Sequence, residues 1–114
     1  MTPEGKVKNL VKKLLDQYDI MPAKDAGNPE VEEKAVGWYY MPSTTQYGVK
    51  GIPDFEGHYK GRHWSIETKA PGKEPTGFQA LQIKAISASG GAVFVVDGLE
   101  SLLVFERWLR SKDP

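Results

Sequence analysis

Two β-prone segments, Gly51-Ile52-Pro53-Asp54-Phe55 and Ser65-Ile66-Glu67-Thr68-Lys69-Ala70, hold the residues best suited to chemistry. Between them, Lys60-Gly61 forms a two-residue hairpin turn in which Gly supplies a positive φ. A hairpin closed there pairs Tyr59 with Arg62, His58 with His63 and, further down the ladder, Asp54 with Glu67. Side chains alternate along a strand, so Lys69 follows on the face of Glu67. Two carboxylates about 5 Å apart repel by roughly 3 kcal/mol at an effective dielectric of about 20, so folding alone gives no reason to oppose them. A divalent cation gives one, since Mg²⁺ binds through a few carboxylates and substrate phosphates while keeping several waters. The arrangement suits metal-dependent hydrolysis of a phosphodiester. Asp54 and Glu67 are the candidate metal ligands. Lys69 either orients the attacking water and neutralises charge building on the phosphate, or serves only as a salt-bridge partner of the acids.

The elements that must position these residues can be read from pattern. Thr2-Pro3-Glu4 opens a helix with a cap, a Pro at the first helical position and an acid in the first turn. Val7, Leu10, Val11, Leu14, Leu15 and Tyr18 continue it as an apolar stripe, with Lys6, Lys8, Lys12 and Lys13 mostly off that stripe. Residues 21–30 read as loop, Trp38-Tyr39-Tyr40 as strand, and 42–50 as a polar connection. The hairpin occupies 52–59 and 62–70, with Trp64, Ile66 and Thr68 facing the core and Ser65, Glu67 and Lys69 facing the chemistry. A helix over 76–89 ends at Gly90-Gly91. Ala92-Val93-Phe94-Val95-Val96 reads as a strand buried on both faces. Leu99 to Arg110 closes the chain as an amphipathic helix with Leu102, Phe105, Trp108 and Leu109 inward. The order α-β-β-β-α-β-α predicts an α/β fold with a mixed sheet and helices on its faces.

Two further residues belong near the site. Glu4 stabilises the helix dipole, yet it lies about 20° from Val11 around the axis, on the stripe expected to be buried, where a lone carboxylate is costly. A metal-site or water-bridged role is the other reading. Gln79 completes a Thr76-x-x-Gln79 capping box, but it also shares a helical face with Ile83 and Ile86 that should look at the sheet. His58 and His63 are opposed near the turn and read as solvated surface. Tyr39, Tyr40 and Tyr47 read as core or loop packing.

Bulk composition sets limits. The 114 residues make one domain, 1–114, with 15 basic and 15 acidic side chains and a net charge of zero. No Cys is present, which removes disulfides and thiolate metal sites and fits a reducing cytoplasm. No signal-peptide pattern or membrane-length apolar run is expected. The cations best placed to follow a phosphate backbone are Lys50, Lys73 and Lys12 on the first helix.

The ordered set Pro3-Glu4-Gly5-x-Val7, Gly51-Ile52-Pro53-Asp54-Phe55, Gly61-Arg62, Ile66-Glu67-Thr68-Lys69-Ala70, Pro75-Thr76-x-x-Gln79 and Gly90-Gly91 resembles the VRR-NUC family of the PD-(D/E)xK nuclease superfamily, in its small stand-alone phage and bacterial form. The resemblance covers most of the chain. It implies a restriction-endonuclease-like αβββαβ core with an added C-terminal helix. It also implies Asp54 and Glu67 as metal ligands, Lys69 in catalysis, and Glu4 and Gln79 completing the site, with Glu4 a further ligand. The expected activity is Mg²⁺- or Mn²⁺-dependent endonucleolytic cleavage of DNA, with four-way junctions or other branched DNA as substrate, by a homodimer in a bacterial or phage-infected cytoplasm. The rival expectations are a nuclease fold that binds DNA without turnover and a metallohydrolase acting on something other than nucleic acid.

Overall fold

In the computed structural model, which describes residues 1–43 and 48–111, α1 (Pro3–Gln17) begins at the expected cap. Thr2 Oγ1 accepts from Gly5 N at 3.0 Å and Pro3 occupies the first turn. The helix is followed by β1 (Ile20–Pro22), a 3-10 turn (Ala23–Asp25), α2 (Pro29–Lys34) and β2 (Gly37–Tyr40). The hairpin β3 (Phe55–Tyr59) and β4 (Arg62–Thr68) comes next, then α3 (Gly77–Ala88), β5 (Ala92–Val96) and α4 (Leu99–Ser111). The five strands form one sheet in chain order. The β1–β2 and β4–β5 pairs are parallel, and β2–β3 and β3–β4 are antiparallel. The architecture is therefore α/β with a mixed sheet.

The hairpin register is the expected one, with Tyr59 opposite Arg62 and His58 opposite His63, as far as Phe55 opposite Ile66. Lys60 and Gly61 both have positive φ, 48° and 80°, which gives the tight turn its twist. One face of the sheet carries Trp64, Ile66, Phe55 and Phe94, and α1 and α4 bury it with Val7, Val11, Leu15, Leu102, Phe105 and Leu109. Trp64 and Phe94 meet Phe105 edge-on at 5.2 and 5.1 Å between ring centroids. Where the two helices come together, the Tyr18 hydroxyl donates to Glu106 Oε2 and accepts from Arg110 Nε.

Three expectations differ from the structure. Residues 21–30 are not simply loop: Ile20–Pro22 adds a strand parallel to β2, and Pro29–Lys34 forms a short helix capped by Asn28. The two prolines and Gly27 that suggested a loop sit at element edges, where they are tolerated. β5 is an edge strand rather than a doubly buried one; only Val96 is fully buried, because α3 covers the second face incompletely. On β4 every residue from Trp64 to Lys69 is buried, those on the face assigned to chemistry included. Leu10, assigned to the inner stripe of α1, is 38% exposed. Tyr39 is core and Tyr40 is exposed, while Tyr47 lies outside the described residues.

The approach to Asp54 is held by a close backbone contact. Gly51 has φ 83°, and a Cβ there would lie 2.3 Å from the carbonyl oxygen of Phe78 at the start of α3. Gly51→Ala should therefore destabilise the fold by about 2 kcal/mol or more, from backbone strain plus overlap. Urea denaturation would show the loss as a lower midpoint at unchanged slope.

Candidate active site

The candidate residues meet at the end of the β3–β4 hairpin remote from its turn. β4 delivers Glu67 and, just past its last residue, Lys69; the backbone N–H of Lys69 still bonds Val96 O at 2.9 Å, so β5 fixes its course. Asp54 immediately precedes β3. It does not simply oppose Glu67 across the ladder, which ends at Phe55–Ile66. Its Oδ2 instead accepts from the N–H of Thr68 at 2.9 Å and from Thr68 Oγ1 at 2.6 Å. Two hydrogen bonds thus lock the Asp54 carboxylate against the end of β4, leaving Oδ1 free of them.

Glu67 is 2% exposed. Its Oε2 lies 3.9 Å from Lys69 Nζ, and its buried Oε1 has no hydrogen-bond partner among the described residues. Burial, and next the charge of Asp54, push the Glu67 carboxyl up to about 8; Lys69 opposes this, Glu4 adds to it, and Lys8 opposes it weakly. Burial therefore favours the protonated form of Glu67 around neutral pH, and a nearby cation would favour the ionised one. Lys69, 9% exposed, is itself buried beside it.

Glu4 reaches the same place from α1, but it is not on the buried stripe as expected. Its side chain is 41% exposed. Its Oε2 is 3.5 Å from Lys8 Nζ, which is 4.0 Å from Asp54 Oδ1. The structure therefore brings together Glu4, Asp54, Glu67 and Lys69 and adds Lys8. The apolar stripe of α1 gave no hint of Lys8. Its spacing of four from Glu4 is the signal that could have found it, since such residues are neighbours on a helix. Thr68, the anchor of Asp54, was also missed, because its contact depends on how the chain bends at the strand end.

Gln79 is half-exposed, and its Oε1 accepts from Thr76 N at 2.8 Å. The capping reading thus accounts for its oxygen, on the expected sheet-facing side of α3 with half-buried Ile83 and Ile86. The three lysines proposed for phosphate contact do not form one track. Lys50 Nζ lies over the Phe78 ring at 5.1 Å, Lys73 edges the groove between α3 and β5, and Lys12 borders a separate hollow beside Tyr39 and Tyr40. His58 and His63 are exposed as expected, although His63 Nε2 also sits 3.0 Å from both Glu56 Oε1 and Ser65 Oγ.

The donor set suits a hard divalent cation. Three carboxylates face two ammonium groups, and the orphaned Oε1 of Glu67 is a buried acceptor of the kind that costs about 1–3 kcal/mol when unsatisfied. Among the described residues, no three His, Asp or Glu side chains already form a closed coordinating group. Mg²⁺ does not require one, since one or two carboxylates plus waters and substrate phosphates suffice. Asp54 Oδ1, not engaged by Thr68, and Glu67 Oε1, without a hydrogen-bond partner among the described residues, are the oxygens left to hold one. Comparison with protein-family models, with curated proteins and with solved structures finds no match to this chain.

Proposed function

We propose that this chain is a Mg²⁺- or Mn²⁺-dependent endodeoxyribonuclease. The observation that carries the reading is Glu67: a buried carboxyl next to Asp54, with one oxygen lacking a hydrogen-bond partner among the described residues and the other 3.9 Å from a buried lysine. Such a group is unfavourable in isolation, and a cation between it and Asp54 would offset the cost. Asp54 and Glu67 would hold the ion, with Glu4 near enough to join through its free oxygen or through water. The ion supplies Lewis acidity toward a backbone phosphate. Lys69, whose Nζ lies 3.9 Å from Glu67 Oε2, would donate to the attacking water and offset negative charge as the water oxygen bonds phosphorus and the bond from phosphorus to the leaving sugar oxygen breaks, the water's proton passing to solvent. Thr68 keeps the Asp54 carboxylate from rotating away.

Substrate and assembly follow from the sequence resemblance together with the surface. With no net positive charge and dispersed lysines, tight non-specific grip on long duplex is disfavoured. Recognition of DNA shape, as in a four-way junction, is the better fit. A second copy would complete the molecule at β5, an apolar edge strand lacking any charged residue, beside α3, in which no residue is buried and Phe78 and Leu81 are 56% and 64% exposed. An edge of this kind is normally covered, and antiparallel pairing of β5 with its own copy about a two-fold axis is self-complementary. The dimer would set two sites against a two-fold substrate.

The test is a cleavage panel of linear duplex, single strand, flap and four-way junction, each with Mg²⁺, Mn²⁺ or EDTA, run beside light scattering. Metal-dependent nicking that is fastest on the junction, by a species of twice the chain mass, is the expected result. Binding without cleavage in either metal would favour the non-catalytic module. Absence of both binding and cleavage would end the nucleic-acid reading.

A further inference from the structure

Lys8 lies between two acids of the site. One ammonium spans two carboxylates from different elements, at 3.5 Å from Glu4 Oε2 and 4.0 Å from Asp54 Oδ1. The Asp54 oxygen it approaches is Oδ1, the one that Thr68 leaves free and therefore the one available to a metal. Lys8 and Lys69 are not equivalent. Lys69 has an 11% exposed side chain enclosed by the strands, whereas that of Lys8 is 31% exposed on a helix and has a path to solvent along a flexible four-carbon stem.

Resting on the metal-site reading above, we infer that Lys8 is an internal stand-in for the divalent cation: it bridges Glu4 and Asp54 in the metal-free protein and is displaced into solvent when the cation binds. This makes metal affinity the outcome of a competition set within α1. It also gives Lys8 a duty distinct from that of Lys69, which stays beside Glu67 throughout.

Calorimetric titration with Mn²⁺ at one fixed pH tests this on the wild-type protein, Lys8→Met, Lys8→Arg and Lys12→Met. Lys8→Met keeps an apolar stem and removes the charge, so it should bind Mn²⁺ about five- to tenfold more tightly and melt lower than wild type in EDTA. Lys8→Arg should stay within about twofold of wild type because the competing charge remains. Lys12→Met controls for simple loss of a positive charge on α1 and should change neither quantity. In parallel, the Lys8 side-chain nitrogen resonance of the unmutated protein should move toward its free-solvent position as Mg²⁺ is added. Wild-type Mn²⁺ affinity in Lys8→Met, or a Lys8 resonance indifferent to saturating Mg²⁺, would overturn the inference while leaving the metal site standing. A wild-type protein that takes up no Mn²⁺ would remove the metal reading and this inference together.

Discussion

Lys69→Ala should lower DNA cleavage by roughly 100- to 10,000-fold, the range associated with a positioned group acting in proton transfer or charge stabilisation, while Mn²⁺ still binds. The expectation follows from burial and charge. A protonated lysine has no lone pair with which to ligate a metal, so its removal leaves the oxygens of Asp54 and Glu67 in place. What is lost is a buried cation fixed by the Val96 backbone contact and held at the edge of a carboxylate. Metal affinity should stay equal or rise slightly, because one repelling charge has gone. Single-turnover cleavage beside Mn²⁺ titration separates the two effects. Cleavage at the wild-type rate would show that Lys69 is only a counter-ion, the alternative its sequence position left open.

Metal-free Glu67→Gln should be more stable than wild type at alkaline pH, and the difference should vanish in acid. Glu67 carries a carboxyl raised from 4.5 to about 8, chiefly by burial and then by Asp54. Below about pH 4.5 both the folded and unfolded chains hold the proton, and its contribution to stability is complete. As pH rises from there to about 8 the unfolded chain has released the proton and the folded one has not. Stability then falls by up to about 1.4 kcal/mol per pH unit, on the order of a few kcal/mol in all. Above pH 8 the buried charge is fully present and the loss is complete. Gln cannot ionise, so the variant should escape this decline and melt on the order of 10 °C higher than wild type at pH 9 in EDTA. Mn²⁺ should reverse the ranking, stabilising wild type, with release of a proton where binding is measured below pH 8, and leaving Glu67→Gln unmoved. Identical pH profiles for the two proteins in EDTA would show that Glu67 is not a buried acid held neutral.

The parts of the site visible in the sequence depend on short-range rules. Lys60-Gly61 specifies a turn, a turn specifies a register, and strand periodicity carries that register to Phe55 and Ile66. Once it is set, Asp54 and Glu67 arrive at the same end of the hairpin and Lys69 two residues beyond. The cap at Thr2 and the stripe of Val7, Val11, Leu14 and Leu15 were legible for the same reason, as was the stop at Gly90-Gly91. β1 escaped because three residues are too few for an alternation to appear, and its pairing partner, parallel β2, is reached only through α2.

Local patterning therefore determined the α/β class, the hairpin and the identities of the acids and lysine that it groups. Tertiary structure decided what those groups experience. The depth of Glu67 comes from packing on both sides of β4. The lock on Asp54 comes from the bend that swings its carboxylate to Thr68 instead of straight across the ladder. The partial exposure of Glu4 and the arrival of Lys8 depend on how α1 is set against the end of the hairpin. The incomplete cover of β5 depends on how far α3 falls short of that edge. The physical difference is range: turn chemistry and periodicity act over a few residues of chain, whereas burial, and the charge interactions that burial strengthens, arise only when distant segments exclude water from a common point.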